Sequence, residues 1–315
     1  MTEPLWTFAS LVAASGGIAD GAGTPDIAGI SIDTRTLSPG DAFVALKDQR
    51  DGHDFVANAF KAGAALAIVA NDYKRCAADG VLLRVADPLA ALTRIGIAAR
   101  ARLSLDARVI AVTGSAGKTT TKEMLKACLS RLAPGRVHAS EKSYNNHWGV
   151  PLTLARMPED TRYAVFEIGM NHAGEIAPLA KMVRPNIAIV TTVEAVHLEH
   201  FPSVAAIADA KAEIFSGLEV GGAAIIKRDN PHAQRLVAAA TRAGATPVLF
   251  ALTDGDGVVP VATNFHATGT ALCLRLLGGS VCNFELAMPG RHNAENACAV
   301  AAALEAAGAD PCAAL

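Results

Sequence analysis

From residue 108 onward, short continuous apolar runs alternate with stretches in which apolar residues recur every three or four positions. The runs fall at residues 108–113, 164–169, 187–193, 223–226 and 247–250. A run without polar alternation suits a strand buried on both faces, and strands separated by helices imply parallel βαβ units in an open, doubly wound sheet. The texture changes at residues 261–286, where shorter alternating strands are broken by glycine turns, and an antiparallel extension is expected there. A helix over residues 294–307 is the last element predicted. Upstream, a smaller α/β set is legible: strands at residues 29–32, 42–46, 66–69 and 81–85, and helices at 53–62 and 88–103. Ser104-Leu105-Asp106 is the expected linker, giving two domains, residues 1–106 and 107–315.

The composition supports this division. Of 315 residues, 51% are hydrophobic and 18% charged, enough apolar material for two cores, and the abundant alanine suits close helix-on-sheet packing. No apolar stretch reaches the length of a membrane span, and Met-Thr-Glu-Pro-Leu-Trp lacks the basic start and apolar core of a signal peptide. The net charge of −2 comes without a lysine/arginine cluster, so neither nucleic-acid binding nor membrane insertion is expected. Arg94, Arg100, Arg102 and Arg108 read as a solvated face. Cys76, Cys128, Cys273, Cys282, Cys298 and Cys312 show no metal-like spacing and fit reduced, buried thiols in a cytoplasmic protein.

The chemistry concentrates where the first run of the larger domain ends. Val112-Thr113-Gly114-Ser115-Ala116-Gly117-Lys118-Thr119-Thr120 puts two glycines, a lysine and hydroxyls between a strand and a helix whose face is Met124, Leu125, Cys128, Leu129 and Leu132. Backbone N–H groups and the helix dipole converge there, which favours a bound phosphate. The glycines allow close approach, Lys118 supplies charge, and Thr119 is placed to ligate Mg²⁺. Only two residues separate the glycines, which departs from the common Walker spacing.

Other candidates are weighed against that loop. Glu167 ends a strand at the same sheet edge, as a Mg²⁺ carboxylate or a plain surface glutamate. His197 follows the next strand, as a packed loop histidine or a ligand; without HExxH or a nearby cysteine, zinc is discounted. Lys211 falls within the apolar stripe of a helix expected over residues 203–218. It must therefore snorkel or have a chemical reason for burial, such as reaction of its neutral amine with CO₂ to a carbamate. In Tyr144-Asn145-Asn146-His147-Trp148-Gly149-Val150-Pro151 the paired amides suit a substrate, or an ordinary loop. In Pro289-Gly290-Arg291-His292-Asn293, with Asn296 one turn on, Asn293 reads as an N-cap or, with Asn296, as a reader of a nucleobase edge. Arg35 pairs with a diphosphate or with Asp33.

Taken together, these motifs resemble the Mur ligases of peptidoglycan synthesis. The resemblance is carried by Ser31-Ile32-Asp33-Thr34-Arg35, Phe43-Val44-Ala45-Leu46-Lys47, Thr113 to Thr119, Asn145 to Pro151, Glu167-Ile168-Gly169-Met170-Asn171-His172, His197-Leu198-Glu199, Ala210-Lys211-Ala212-Glu213-Ile214-Phe215 and Pro289 to Asn293. The member it looks most like joins D-alanyl-D-alanine to UDP-N-acetylmuramoyl tripeptide through an acyl phosphate. The resemblance implies an N-terminal UDP-binding domain and a central P-loop ATPase domain. It implies that Thr113, Gly114, Ser115, Ala116, Gly117, Lys118, Thr119 and Thr120 hold the ATP phosphates, with His292, Asn293 and Asn296 toward adenine. It also implies Mg²⁺ on Thr119 and Glu167, a second Mg²⁺ on His197, and Lys211 as a carbamate; Lys118, Lys211 and His197 would serve catalysis. Ser31, Asp33, Thr34, Arg35, Ala45, Leu46, Asn145 and Asn146 would meet the UDP-sugar peptide. A cytoplasmic monomer is expected. Family members add a third, C-terminal domain with no counterpart within these residues, so a catalytically incomplete fragment is expected. The alternatives are a sister ligase adding the third amino acid, a folylpolyglutamate synthase, which should lack the first domain, or a nucleotide-binding module without chemistry.

Overall fold

The computed structural model describes residues 3–315 except Lys142 and His197. The backbone divides into two units, Met1–Leu103 with Pro151–Glu159, and Ser104–Val150 with Asp160–Leu315. The sequence reading assigned residues 151–159 to the second domain, whereas the contacts assign them to the first. Trp6 Nε1 donates to Ala155 O at 2.9 Å, Arg102 Nη2 to Met157 O at 2.7 Å, and Arg156 Nε to Ile30 O at 2.6 Å. No sequence periodicity reports such long-range tethers.

In the first unit, β1 (Ile18–Asp20), β2 (Gly29–Ser31), β3 (Asp41–Val44), β4 (Leu66–Ala70) and β5 (Val81–Val85) form one sheet in the order β1-β5-β4-β3-β2. All pairs are parallel except β1 with β5. Helices α1 (Phe8–Ser15), α2 (Val56–Lys61) and α3 (Pro88–Ala101) accompany it, and the helix expected from residue 53 starts as a 3-10 turn, Gly52–Phe55. Asp87 caps α3 by accepting from Leu89 N at 2.7 Å and Ala90 N at 3.2 Å, with Pro88 preset for the first turn. Two arginines expected on a solvated face do structural work instead, because α3 packs on α1. Arg94 donates to Ser15 O from Nε at 2.9 Å and Nη2 at 2.5 Å, and the Arg102 guanidinium lies 3.9 Å over the Trp6 ring.

In the second unit, β6 (Arg108–Thr113), β7 (Val137–Ala139), β8 (Tyr163–Glu167), β9 (Ile187–Val190), β10 (Ala223–Lys227) and β11 (Thr246–Phe250) form a parallel sheet ordered β11-β10-β9-β6-β8-β7. β8 and β9 are buried throughout, which accounts for their unbroken apolar runs. The connections run to opposite sides of β6, so its carboxyl end is a topological switch point, where such sheets open a ligand crevice. Helices α4 (Lys118–Leu132), α5 (Gly149–Ala155), α6 (Ile176–Val183), α7 (Val204–Ala212), α8 (Ala233–Arg242), α9 (Arg291–Ala306) and α10 (Pro311–Ala314) complete the element list. Met124, Leu125, Cys128 and Leu129 of α4 share a core with Ile110, Val112, Val165, Ile189 and the alanine-rich α9. The small side chains of α9 permit that close approach.

The expected antiparallel extension is a separate three-stranded sheet of β12 (Val259–His266), β13 (Gly269–Arg275) and β14 (Val281–Leu286). Its Leu272, Leu274 and Cys282 join the core of the larger sheet. The single helix expected over residues 203–218 changes pitch at Glu213, where α7 gives way to a 3-10 turn, Glu213–Gly217. Gly217 lies so tightly on the backbone of Ala180 that a Cβ there would collide with it. An α-helical continuation would have to keep that same contact.

Candidate active site

The loop after β6 is built to leave N–H groups free. Gly117 caps α4 in the left-handed region at φ 80°, with no side-chain cap, so the first-turn amides of α4 stay open to a ligand. Gly114 gives way to Thr191, just beyond β9, whose Oγ1 would collide with a Cβ at that position. Thr191 Oγ1 donates to Ala116 O at 2.5 Å and stands 3.3 Å from Thr113 O. Ser115 N donates to Thr192 O at 2.9 Å, and its Oγ accepts from Glu194 N at 2.9 Å. The loop is therefore held from the neighbouring strand, which the sequence reading missed. Its only signal was the hydroxyl pair Thr191-Thr192 at the end of an apolar run. Lys118 Nζ donates to Gly114 O at 2.9 Å. Burial lowers the Lys118 pKa from its usual value, opposed by the charge of Glu167. A partly desolvated cation among open amides suits a polyanion.

Glu167 ends β8 at 1% exposure. Its Oε2 accepts from Thr119 Oγ1 at 2.9 Å and its Oε1 from Asn145 Nδ2 at 2.8 Å. A hydroxyl and a carboxylate in hydrogen-bond contact, one helical residue from the phosphate-directed lysine, are hard oxygen donors of the kind Mg²⁺ takes, so the residues present fit that ion. The two neighbouring amides have different tasks. Asn145 turns to Glu167, while Asn146 Oδ1 caps the start of α5 by accepting from Gly149 N at 2.9 Å.

Lys211, near the end of α7, is 2% exposed and does not snorkel. Burial and then the charge of Lys118 bring its ammonium down to about 7. Glu213, two residues on, fastens this segment to the start of α6. Its Oε1 accepts from Gly174 N at 2.6 Å, and its Oε2 from Ile176 N at 3.2 Å and Ala177 N at 3.1 Å. The expected ligand His197 lies outside the described residues.

The second turn of α9 also borders the loop. Asn296 is 8% exposed, and its Oδ1 stands 2.6 Å from where a Cβ on Gly117 would be. Asn293 is not the N-cap; that is Gly290, because α9 begins at Arg291, earlier than expected. Asn293 Nδ2 instead donates to Pro289 O at 2.8 Å, and the His292 ring lies beside Gly290.

The first-unit candidates gather at the carboxyl ends of β2 and β3. Ser31 Oγ donates to Asp33 O at 3.0 Å, and Arg35 pairs with Asp33 at 2.6 Å while staying exposed. Thr34 lies between them, half-buried. Ala45 N donates to Ile68 O at 3.0 Å, and Leu46 O accepts from Gly52 N at 2.8 Å. Sequence reasoning missed His53, whose Nδ1 meets Asp51 at 2.6 Å while Nε2 accepts from Ala70 N at 2.9 Å, closing the loop after Leu46.

Comparison with known proteins identifies the family. The chain matches the Mur ligase middle domain over residues 112–304 and the Mur ligase family catalytic domain over residues 26–132. It is 41% identical over 279 residues to the UDP-N-acetylmuramoyl-tripeptide--D-alanyl-D-alanine ligase of Escherichia coli (strain K12), covering 87% of this chain and 59% of that protein. The Bacillus subtilis (strain 168) ligase of the same name is 37% identical, with 88% and 58% covered. The fold superposes on MurF from Acinetobacter baumannii with a TM-score of 0.84 at 33% identity, over 98% of this chain and 67% of that one. The chain thus spans 58–59% of the length of those two curated relatives.

Proposed function

The chain belongs to the Mur ligase family, and from that premise we propose that it serves ATP-dependent addition of D-alanyl-D-alanine to a UDP-N-acetylmuramoyl tripeptide. The observation that carries this reading is the cradle of Gly114, Gly117 and Lys118 set against the Thr119–Glu167 pair at the switch point of the sheet.

A carboxylate is a poor electrophile, so amide formation needs a leaving group first. The tripeptide's terminal carboxylate attacks the γ-phosphorus of ATP, the bond to the β,γ-bridging oxygen breaks, and ADP leaves from an acyl phosphate. The amine of D-alanyl-D-alanine then attacks the acyl carbon, loses its proton, and inorganic phosphate departs. Two anions must meet in the first step. Lys118 offsets that repulsion by leaving Gly114 O for a phosphate oxygen, and the α4 amides take the remaining charge. Mg²⁺ bound by Thr119 and Glu167 would supply charge neutralisation on the phosphates. Lys211 reacts as the neutral amine with CO₂: the N–C bond forms, a proton goes to solvent, and the resulting carbamate would, with His197, help hold a second Mg²⁺ and supply further charge neutralisation there. His292, Asn293 and Asn296 take the adenine end. Ser31, Asp33, Thr34, Arg35, Ala45 and Leu46 take the uridine diphosphate, and Asn145 and Asn146 border the peptide arm.

Among the described residues no helix is long and apolar enough to cross a membrane. We place the reaction in the cytoplasm, with the protein as a monomer. The test is mass spectrometry of a reaction of ATP, UDP-N-acetylmuramoyl tripeptide and D-alanyl-D-alanine with the natural polypeptide that carries these residues. The expected product is the UDP-muramoyl pentapeptide with equimolar ADP. ATP turnover with no pentapeptide would contradict the assignment.

A further inference from the structure

Lys122 is a lysine the mechanism does not use. It sits one turn beyond Thr119 on α4, and its side chain is 0% exposed. A buried ammonium is costly unless it is paired and hydrogen-bonded, and an apolar side chain of similar volume would hold a helix on a sheet without that cost. Packing alone therefore does not explain it. Its hydrogen bonds do.

Lys122 Nζ donates to Ser140 O at 2.8 Å and pairs with Glu123 at 2.7 Å. Ser140 directly follows β7 and is 3% exposed. Its N donates to Val165 O at 3.0 Å, and its Oγ accepts from the backbone N of Glu167 at 3.2 Å. Five residues on in the chain, Asn145 Nδ2 donates to Glu167 Oε1 at 2.8 Å, and Asn145 O accepts from Gly169 N at 2.9 Å. The backbone of Glu167 is thus held by Ser140, which Lys122 grips, and its carboxylate by Asn145. The opposite carboxylate oxygen meets Thr119, on the same helix as Lys122.

We propose that Lys122 is a positioning residue for the metal-binding carboxylate: by gripping Ser140 it fixes Ser140 and, with it, Asn145, and these two residues orient Glu167 toward Thr119. The proposal rests on the reading of Thr119 and Glu167 as Mg²⁺ ligands. Groups that orient a metal ligand are worth roughly 10–100-fold in metal affinity.

The experiment is calorimetric titration of the chain with ATP, once with Mg²⁺ and once with a chelator, for wild type, Lys122→Met and Ser140→Ala. Wild type should bind ATP more tightly with Mg²⁺. In Lys122→Met that gain should shrink by roughly tenfold or more, with metal-free affinity and thermal midpoint undiminished. Ser140→Ala, which removes only the hydroxyl that accepts from Glu167 N, should lose part of the same gain. A crystal structure of Lys122→Met should show the Asn145–Glu167 hydrogen bond broken. A Mg²⁺ gain equal to wild type in folded Lys122→Met overturns the proposal, as does equal loss of affinity with and without metal, which would mark a merely structural lysine. If Lys122→Met does not fold, an unaltered gain in Ser140→Ala overturns it. Absence of any Mg²⁺ gain in wild type sinks the ligand reading itself, and is told apart because it needs no variant.

Discussion

Lys118 is half-buried and Lys211 buried, and the charge of the first shapes the chemistry of the second. Lys118 keeps an opposing partner in Glu167, whereas burial and then the repulsion of Lys118 act on Lys211. The first is suited to hold phosphate as a charge and the second to shed its proton. Lys118→Met should weaken ATP binding by about 2 kcal/mol, the scale of a hydrogen bond to a charged group, as read by calorimetry. For Lys211 the sign follows from its depressed value. The ammonium falls from 10.5 in the unfolded chain to about 7 in the fold, so below pH 7 both states are charged and the burial penalty is fully felt. Between those two values the folded state has released a proton that the unfolded state keeps, and stability rises with pH. Urea midpoints should climb from pH 7 toward 10 in wild type and climb less in Lys211→Met. A ¹³C-carbamate signal on Lys211 with labelled bicarbonate should grow over the same range; its absence in wild type would remove the carbamate from the mechanism.

Elements carried most of the legible information. The phosphate loop was readable because strand, glycine turn and amphipathic helix are contiguous, and β6, β8 and β9 because burial on both faces leaves unbroken apolar runs. What escaped was long-range. Thr191 pins the loop from a strand more than seventy residues away. Glu213 fell inside the helix expected over residues 203–218, yet it caps α6, and nothing local signals that. The short β1 and β7, three residues each, carry too little pattern to register. Glu213→Ala should cost about 1–2 kcal/mol in urea unfolding, as a lost N-terminal cap does. It should also lower the yield of carbamylated Lys211, since α7 loses its hold on α6. Gly114→Ala should abolish ATP binding while the protein still folds, because the new methyl displaces Thr191 from the loop. Retained affinity there would mean that the loop tolerates being moved.

At the scale of the molecule, the residues proposed for ATP lie in Ser104–Val150 with Asp160–Leu315, together with Asn145 and Asn146 of the peptide arm, and those proposed for the uridine diphosphate lie in Met1–Leu103 with Pro151–Glu159. Hydrogen exchange should therefore slow on ATP addition at the loop after β6 and the start of α9, and on UDP-sugar peptide addition at the ends of β2 and β3. Protection of the first unit by ATP alone would argue against that assignment. The most direct measurement is a crystal structure of the chain with Mn²⁺ and a non-hydrolysable ATP analogue. Triphosphate density should lie on the amides after Gly117, with Lys118 Nζ swung from Gly114 O onto phosphate and an anomalous peak between Thr119 and Glu167. Nucleotide bound elsewhere, or metal away from Glu167, would contradict the reading of this site.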